Sequence, residues 1–324
     1  MNGIIERLSQ IEASAVANVS SEHTDCEAIT VQVMKSHYAK EIKSYITLIR
    51  PKHWLKNILI FVPLLYAGNL IKLKAFLSSV RCFVAFCLIT SAVYVVNDVV
   101  DVGRDRQHPF KSKRPIASGQ IEINQAIVLA VFLLISGFSL AIVGYNNYFV
   151  ALFAALYVLM NLLYSFMLKH YAIVDCFCIA AGFVLRIYAG GAVNNDRISE
   201  WLFLTMISAS LFMAFGKRRG EMMYVADTVT TRKVLASYNL GFLNGMLFVF
   251  AGLSAVFYAL WAMSNVSTMI YTVPLVIFII CKYLLIVHGE TSHGEPTSII
   301  LGDRGLMIAI CILGLLTVML LYVR

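Results

Sequence analysis

Nine long apolar stretches, separated by short polar loops, constrain this chain more than any other feature. A membrane-crossing helix needs about 20 mostly apolar residues. The runs 46–68, 79–100, 123–143, 148–168, 172–192, 201–217, 239–263, 268–287 and 304–323 meet or approach that length. Of 324 residues, 60% are hydrophobic and 14% are charged, whereas soluble domains carry about a quarter charged residues. The expectation is an all-α integral membrane protein, one bundle of nine transmembrane helices. Its first run is the least regular, because Arg50, Lys52 and Lys56 interrupt its start. Residues 1–44 are polar, mixed in charge and without the apolar segment of a signal peptide. They are expected to form a disordered or amphipathic extension outside a membrane domain over 45–324.

The charges orient the bundle. The loop after the second run carries Arg104, Arg106, Lys111, Lys113 and Arg114, and the loop after the sixth carries Lys217, Arg218, Arg219, Arg232 and Lys233. Alternate loops are poor, with Lys72 and Lys74 after the first run and Arg197 after the fifth. Cytoplasmic loops collect Lys and Arg, so the rich loops are expected inside, the N-terminus inside and the C-terminus outside. The net charge of +8 comes largely from these loops, so no nucleic-acid partner is expected. Six of the seven cysteines lie in or beside apolar runs. Cysteine packs there as a small hydrophobe, and neither a disulfide framework nor a thiolate metal site is expected.

Chemistry concentrates in NDVVDVGRDRQHPFKSKRPIASG, residues 97–119. Asn97, Asp101 and Asp105 are spaced i, i+4, i+8, which stacks them on one helix face with Asp98 beside them. Carboxylates so close repel unless a cation lies among them. Carboxylate and amide oxygens suit a hard cation, and Mg²⁺ commonly completes its shell with water and substrate phosphates. The structural alternative is an acidic helix end neutralised by Arg104 and Arg106. His108, Lys111, Lys113 and Arg114 follow, in a segment that Pro109 and Pro115 keep from continuing as helix. A basic loop beside a metal-holding acidic face fits a magnesium diphosphate: the metal neutralises some oxygens and Lys and Arg take others.

Two charges lie within the fifth run. Arg186 is mid-way along it, where a charge is costly and usually functional, and Asp175 is near its cytoplasmic start. Eleven residues are about three turns, so both share a face. Asp175 could coordinate metal or hold a sugar, and Arg186 could meet a phosphate; pairing with neighbours inside the bundle is the alternative for each. Asp303, before the last run, is expected to cap it.

Asn97-Asp98-Val-Val-Asp101-Val-Gly-Arg-Asp105 matches NDxxDxxxD and resembles the first motif of the UbiA superfamily of intramembrane prenyltransferases. The resemblance runs from about residue 45 to the end. It implies a nine-helix bundle with a magnesium-dependent site facing the cytoplasm. Most members carry a second aspartate-rich motif after the sixth helix. Here that loop reads MAFGKRRGEMMYVADTVTTRK, with Glu221 and Asp227 but no DxxxD, and with Lys217-Arg218-Arg219 in its place. The stretches LIRPKHWLKN, HPFKSKRPIASG, YSFMLKHYAIVDCFCIAAGFVLRIYAGG and FGKRRGE resemble the decaprenyl-phosphate phosphoribosyltransferase branch.

That branch implies transfer of 5-phosphoribose from phosphoribosyl diphosphate to a polyprenyl phosphate, in a bacterial inner membrane, toward a cell-wall arabinan precursor. By the same resemblance Tyr164 and Lys169 belong to the site and Lys56 is a phosphate-binding candidate, a snorkelling lysine being the alternative. Lys217 and Arg218, standing where the second motif would be, are expected to meet phosphates with the basic loop. Three anionic groups on one magnesium require extra cationic side chains, which is the direction in which the second motif departs. The lipid phosphate is already an anionic nucleophile, so no covalent intermediate and no essential Ser or Cys are expected. Two other readings share some of these features. A prenyltransferase would use the same first motif with an aromatic acceptor, but the second motif it needs is missing. A transporter would also place charge among helices, but no inverted repeat is evident.

Overall fold

The computed structural model describes residues 40–107, 111–145, 148–225, 233–265, 267–289 and 296–322. The segment 1–39, His108, Asp227, Glu290, His293 and Glu295 lie outside the described residues. Among those described, every regular element is helical. A helix over 40–49 (α1) leads into a 3-10 segment, Pro51–Ile60, and the short α2, Phe61–Tyr66. The chain continues through α3 (Leu73–Val100), α4 (Val102–Gln107), α5 (Ile123–Ile142), α6 (Phe149–Phe166), α7 (Val174–Asn194) and α8 (Glu200–Val225). It closes with α9 (Leu240–Asn265), α10 (Val273–His288), α11 (Pro296–Gly302) and α12 (Arg304–Tyr322).

Among the described residues, seven helices are long and apolar enough to cross a membrane: Leu73–Val100, Ile123–Ile142, Phe149–Phe166, Val174–Asn194, Leu240–Ser264, Thr268–His288 and Arg304–Tyr322. The two remaining expected spans differ for identifiable reasons. α8 has ample length, but its last third carries Lys217, Arg218, Arg219 and Glu221. The first expected span, 46–68, is not one α-helix. Pro51 follows Arg50, which takes a left-handed conformation (φ 53, ψ 61) that ends α1, and Pro63 withholds a donor from α2. A 3-10 helix rises about 2.0 Å per residue against 1.5 Å for an α-helix, so Pro51–Tyr66 covers about 29 Å. That matches a hydrocarbon core about 30 Å thick.

Side chains anchor this stretched segment. Trp54 Nε1 donates to Ser91 Oγ (3.0 Å), and Ser91 Oγ donates to the Ile49 carbonyl (2.9 Å). Asn57, fully buried, donates through Nδ2 to Thr90 Oγ1 and to Cys87 Sγ, both at 3.3 Å. On the other side α7 comes so close that a Cβ on Gly190 would lie 2.1 Å from the Ile60 carbonyl oxygen; only glycine permits that approach.

α3 and α7 are the central helices, more buried than the other crossing helices. α3 packs on α5, α6, α7 and the 3-10 segment; α7 also packs on α6 and α8, and α8 on α9. Phe86, Ile89, Ala85, Ala141 and Ala154 fill one apolar core between α3, α5 and α6, and Phe215, Leu243, Leu247 and Val287 fill another around α8 to α10. Outward, Val128, Phe132, Leu285 and Leu315 are exposed apolar side chains, as a lipid-facing surface requires. Asp303 sits before α12, where its Oδ1 accepts from the Leu306 backbone N–H at 2.7 Å and its Oδ2 faces Lys282 Nζ at 3.2 Å.

Candidate active site

The 3-10 segment, α3, α6, α7 and α8 enclose a cavity of about 730 Å³. Ten residues singled out from the sequence line it: Lys56, Asn97, Asp98, Asp101, Lys111, Arg114, Tyr164, Lys169, Arg186 and Lys217. They come from segments far apart in sequence, which the packing of α3 against α6 and α7 brings together. Asp105, Asp175 and Arg218 do not line it.

The acidic end sits where α3 stops. Asp101 terminates the helix (φ −90, ψ 4), and α4 resumes one residue later. The turn spacing persists through the break, because Asp101 N donates to Asn97 O and Asp105 N to Asp101 O, each at 2.9 Å. The expected convergence of four oxygen-bearing side chains therefore holds only in part. Asn97, Asp98 and Asp101 face the cavity, whereas Asp105 is buried against Arg114, whose Nη1 lies 2.6 Å from its Oδ2. The same Nη1 donates to Asp98 Oδ1 at 2.9 Å, so Arg114 ties the two carboxylates. Asp98 Oδ1 also accepts from Arg50 Nη2 at 2.5 Å. Lys169 Nζ donates to Asp101 Oδ1 at 2.9 Å, and Asn97 Oδ1 accepts from Ser165 Oγ. Arg104 and Arg106, the sequence alternative for neutralising this face, have no part in these pairs; Arg50, Arg114 and Lys169 do that work from three other segments.

Lys217, Arg218 and Arg219 do not act as one basic patch. Successive residues on an α-helix point about 100° apart, so only Lys217 faces the cavity. Arg218 is fully buried: its Nε meets Asp175 Oδ2, its Nη1 meets Glu221 Oε2 at 2.6 Å, and its Nη2 donates to Tyr164 Oη at 3.1 Å. Arg219 turns to the α9–α10 side, donating to Asn244 Oδ1 (2.8 Å) and the Val287 carbonyl (2.5 Å). Arg218 is thus engaged by protein side chains, and it holds Tyr164 and Glu221 on the cavity wall.

Asp175 is fully buried and does not line the cavity; the structure places it in a pair inside the bundle. Beyond Arg218, its Oδ1 accepts from Tyr238 Oη (2.6 Å) and from the Cys176 backbone N–H (2.9 Å). Tyr238 Oη in turn accepts from the Ile173 backbone N–H (2.6 Å). Burial, and then the bond to Asp175, push the Tyr238 hydroxyl well above its ordinary value, so it stays a neutral donor. Ile173 holds φ 70, a costly conformation for a β-branched residue. The α7 start is therefore a strained turn closed by a buried network.

Arg186 lies at the deep end, 4% exposed, and lines the cavity beside Tyr157, Gly182 and Phe183. It does not pair with Asp175. Residues that sequence reasoning passed over complete the walls: Arg50, His53, Tyr94, Tyr157, Asn161 and Glu221. Arg50 and Glu221 carried a signal, since each stands inside a quoted motif. Tyr157 carried none, because an aromatic residue in an apolar run is ordinarily core.

Seven Lys or Arg side chains line the cavity against three carboxylates, Asp98, Asp101 and Glu221, among the described residues. Such a cavity selects polyanions. No three His, Cys, Asp or Glu side chains among the described residues are arranged to hold an ion unaided. A partial shell of two carboxylates and one amide oxygen nevertheless fits a hard divalent cation, which takes one or two carboxylates and completes itself on water and substrate phosphates.

The fold is thus a polytopic helical bundle around a cavity rich in cationic side chains, with oxygen donors of the kind a hard cation takes. The UbiA prenyltransferase family model matches residues 58–301, and the chain belongs to that family. It is 36% identical to the decaprenyl-phosphate phosphoribosyltransferase of Mycolicibacterium smegmatis, over 82% of this chain and 89% of that protein. The protein of the same name from Mycobacterium tuberculosis is also 36% identical, over 83% of this chain and 91% of its own length. Among solved structures, a UbiA homolog from Archaeoglobus fulgidus bound to GPP and Mg2+ superposes with a TM-score of 0.68, covering 86% of this chain and 98% of that one at 18% identity. The last similarity is one of fold.

Proposed function

We propose that this chain transfers the 5-phosphoribosyl group of phosphoribosyl diphosphate to a polyprenyl phosphate, decaprenyl phosphate by the name of its relatives, with release of diphosphate. The observation that carries the reading is the cavity's cation surplus, together with relatives named for this reaction. A prenyl diphosphate needs the cavity to match one diphosphate and a hydrocarbon chain; two phosphorylated substrates need what this cavity has.

Asn97, Asp98 and Asp101 would hold Mg²⁺, with Asp105 acting through Arg114. The bound ion supplies charge neutralisation on the diphosphate leaving group. Arg114, Lys111, Lys169 and Lys217 bind and orient the remaining phosphate oxygens, and His108, close to Lys111 in sequence, is a further candidate. Lys56 approaches from the 3-10 segment. As the C1–O bond to diphosphate breaks, positive charge develops on the ribose, and the lipid phosphate oxygen forms the new bond to C1. No proton must be removed from that nucleophile, which accords with a site offering fixed charges rather than a general base.

In the bilayer the nine-crossing arrangement comprises the seven apolar helices, α8, and the combined 3-10 segment and α2. The domain boundary proposed from the sequence, about residue 45, falls within α1. The cavity mouth faces the cytoplasm of a bacterial inner membrane, as the Lys- and Arg-rich loops favour. The test supplies purified protein in detergent with radiolabelled phosphoribosyl diphosphate, Mg²⁺ and a polyprenyl phosphate. Magnesium-dependent label in the organic phase is the expected result; label that stays in water contradicts the reading.

A further inference from the structure

We propose that Arg186, framed by Asn57 and Tyr157, is the subsite for a phosphate monoester at the deep end of the cavity. We assign to it the 5-phosphate of the pentose donor. The inference rests on the phosphoribosyl reading and specifies how the cavity tells that donor from a prenyl diphosphate.

Arg186 is a buried cation near the middle of a crossing helix, and an arginine does not shed its charge there. Its partners are all neutral: Nε donates to Asn57 Oδ1 (2.7 Å), Nη1 to the Gly182 carbonyl (2.6 Å) and Nη2 to Tyr157 Oη (3.0 Å). The guanidinium carbon lies 4.6 Å from the Tyr157 ring centroid. No carboxylate among the described residues pairs with it, in contrast to Arg50, Arg114 and Lys169. A charge at this depth is costly without a counter-ion.

The corner has donors to spare. Three of the five guanidinium N–H groups are engaged, which leaves one on each terminal nitrogen, the fork that suits a phosphate. Tyr157 Oη accepts from Arg186, and its own proton has no acceptor among the described residues. Asn57 fixes the guanidinium plane, since its Nδ2 is tied to Thr90 and Cys87 on α3.

Its depth suits the donor. Thr90 and Asp98 are eight residues apart on α3, about 12 Å along the axis. The Arg186 corner therefore sits roughly a phosphopentose length below the acidic end, where the diphosphate belongs. A polyprenyl phosphate offers the same chemistry, but its chain keeps the headgroup near the membrane surface. The prenyl end of a prenyl diphosphate would meet this cation instead of an apolar wall.

The test compares kcat/KM for phosphoribosyl diphosphate and for α-ribosyl 1-diphosphate, which lacks the 5-phosphate, in the wild type, Arg186→Gln and Tyr157→Phe. The wild type is expected to prefer the phosphorylated donor by about a hundredfold or more. Arg186→Gln should lose about that factor on the phosphorylated donor alone, so that its preference collapses below about tenfold. Tyr157→Phe keeps the charge and should raise KM for the phosphorylated donor without changing KM for the lipid; it carries the test if Arg186→Gln does not accumulate. Undiminished preference in the variants overturns the assignment, as does a penalty confined to KM for polyprenyl phosphate, which would make this the lipid's subsite. A wild type that transfers pentose from neither donor refutes the parent reading, and the inference with it.

Discussion

Arg218 and Asp175 form a fully buried ion pair between α8 and α7, with Tyr238 and Glu221 closing it on either side. Removing one member of such a pair leaves a charge uncompensated and costs about 3–5 kcal/mol. Asp175→Asn and Arg218→Met should each lower the thermal unfolding temperature in detergent markedly, and activity should fall in step with the folded fraction. A normally stable Asp175→Asn protein with no turnover would instead return Asp175 to a direct part in the chemistry.

The three motif aspartates should separate by position. Asp98→Asn and Asp101→Asn remove oxygens that face the cavity and should cost at least about a hundredfold in kcat/KM. Asp105→Asn acts through Arg114 and should cost nearer tenfold, mostly in donor KM. Chelation should abolish turnover of the wild type, and added Mg²⁺ should restore it. Steady-state kinetics with each variant at matched folded protein checks the order.

Gly190→Ala should destabilise, although alanine favours helix over glycine in an open position. The new methyl would lie 2.1 Å from the Ile60 carbonyl oxygen, so backbone must move. Overpacking of this kind costs about 1–3 kcal/mol. Ile60 ends the segment that carries Lys56 and Asn57, and donor affinity should fall along with the melting temperature.

Asp303 gives a pH signature. The Leu306 N–H, aided by Lys282, holds its carboxyl below the ordinary value of 3.8. A carboxyl depressed in the folded state adds stability that is present above its unfolded value and lost as pH falls through the folded one. Asp303→Asn keeps a capping oxygen but loses the charge. Its melting temperature should lie below that of the wild type at neutral pH, and the two curves should converge on acidification.

Much of the site was legible because its signals are local. The spacing of Asn97, Asp98 and Asp101 survives a helix break, since the backbone bonds across Asp101 preserve the turn. Charges in apolar runs, such as Arg186, announce themselves by cost. What escaped depends on helix rotation and long-range packing. Lys217-Arg218-Arg219 reads as one basic patch, yet 100° per residue sends each side chain to a different neighbour. Asp175 lies one turn from the cavity face and pairs inward. The first span looked like an interrupted helix, whereas Pro51 and Pro63 with the Trp54 and Asn57 anchors make it a stretched 3-10 segment. Tyr157 became visible only when α6 met α7.

The most direct measurement places both candidate donors in one vessel: phosphoribosyl diphosphate and geranyl diphosphate, with a polyprenyl phosphate, an aromatic acid and Mg²⁺. Mass spectrometry of the lipid extract reads the product. The account predicts a polyprenylphosphoryl phosphoribose and untouched geranyl diphosphate. A geranylated aromatic acid with no phosphoribosyl lipid would contradict it.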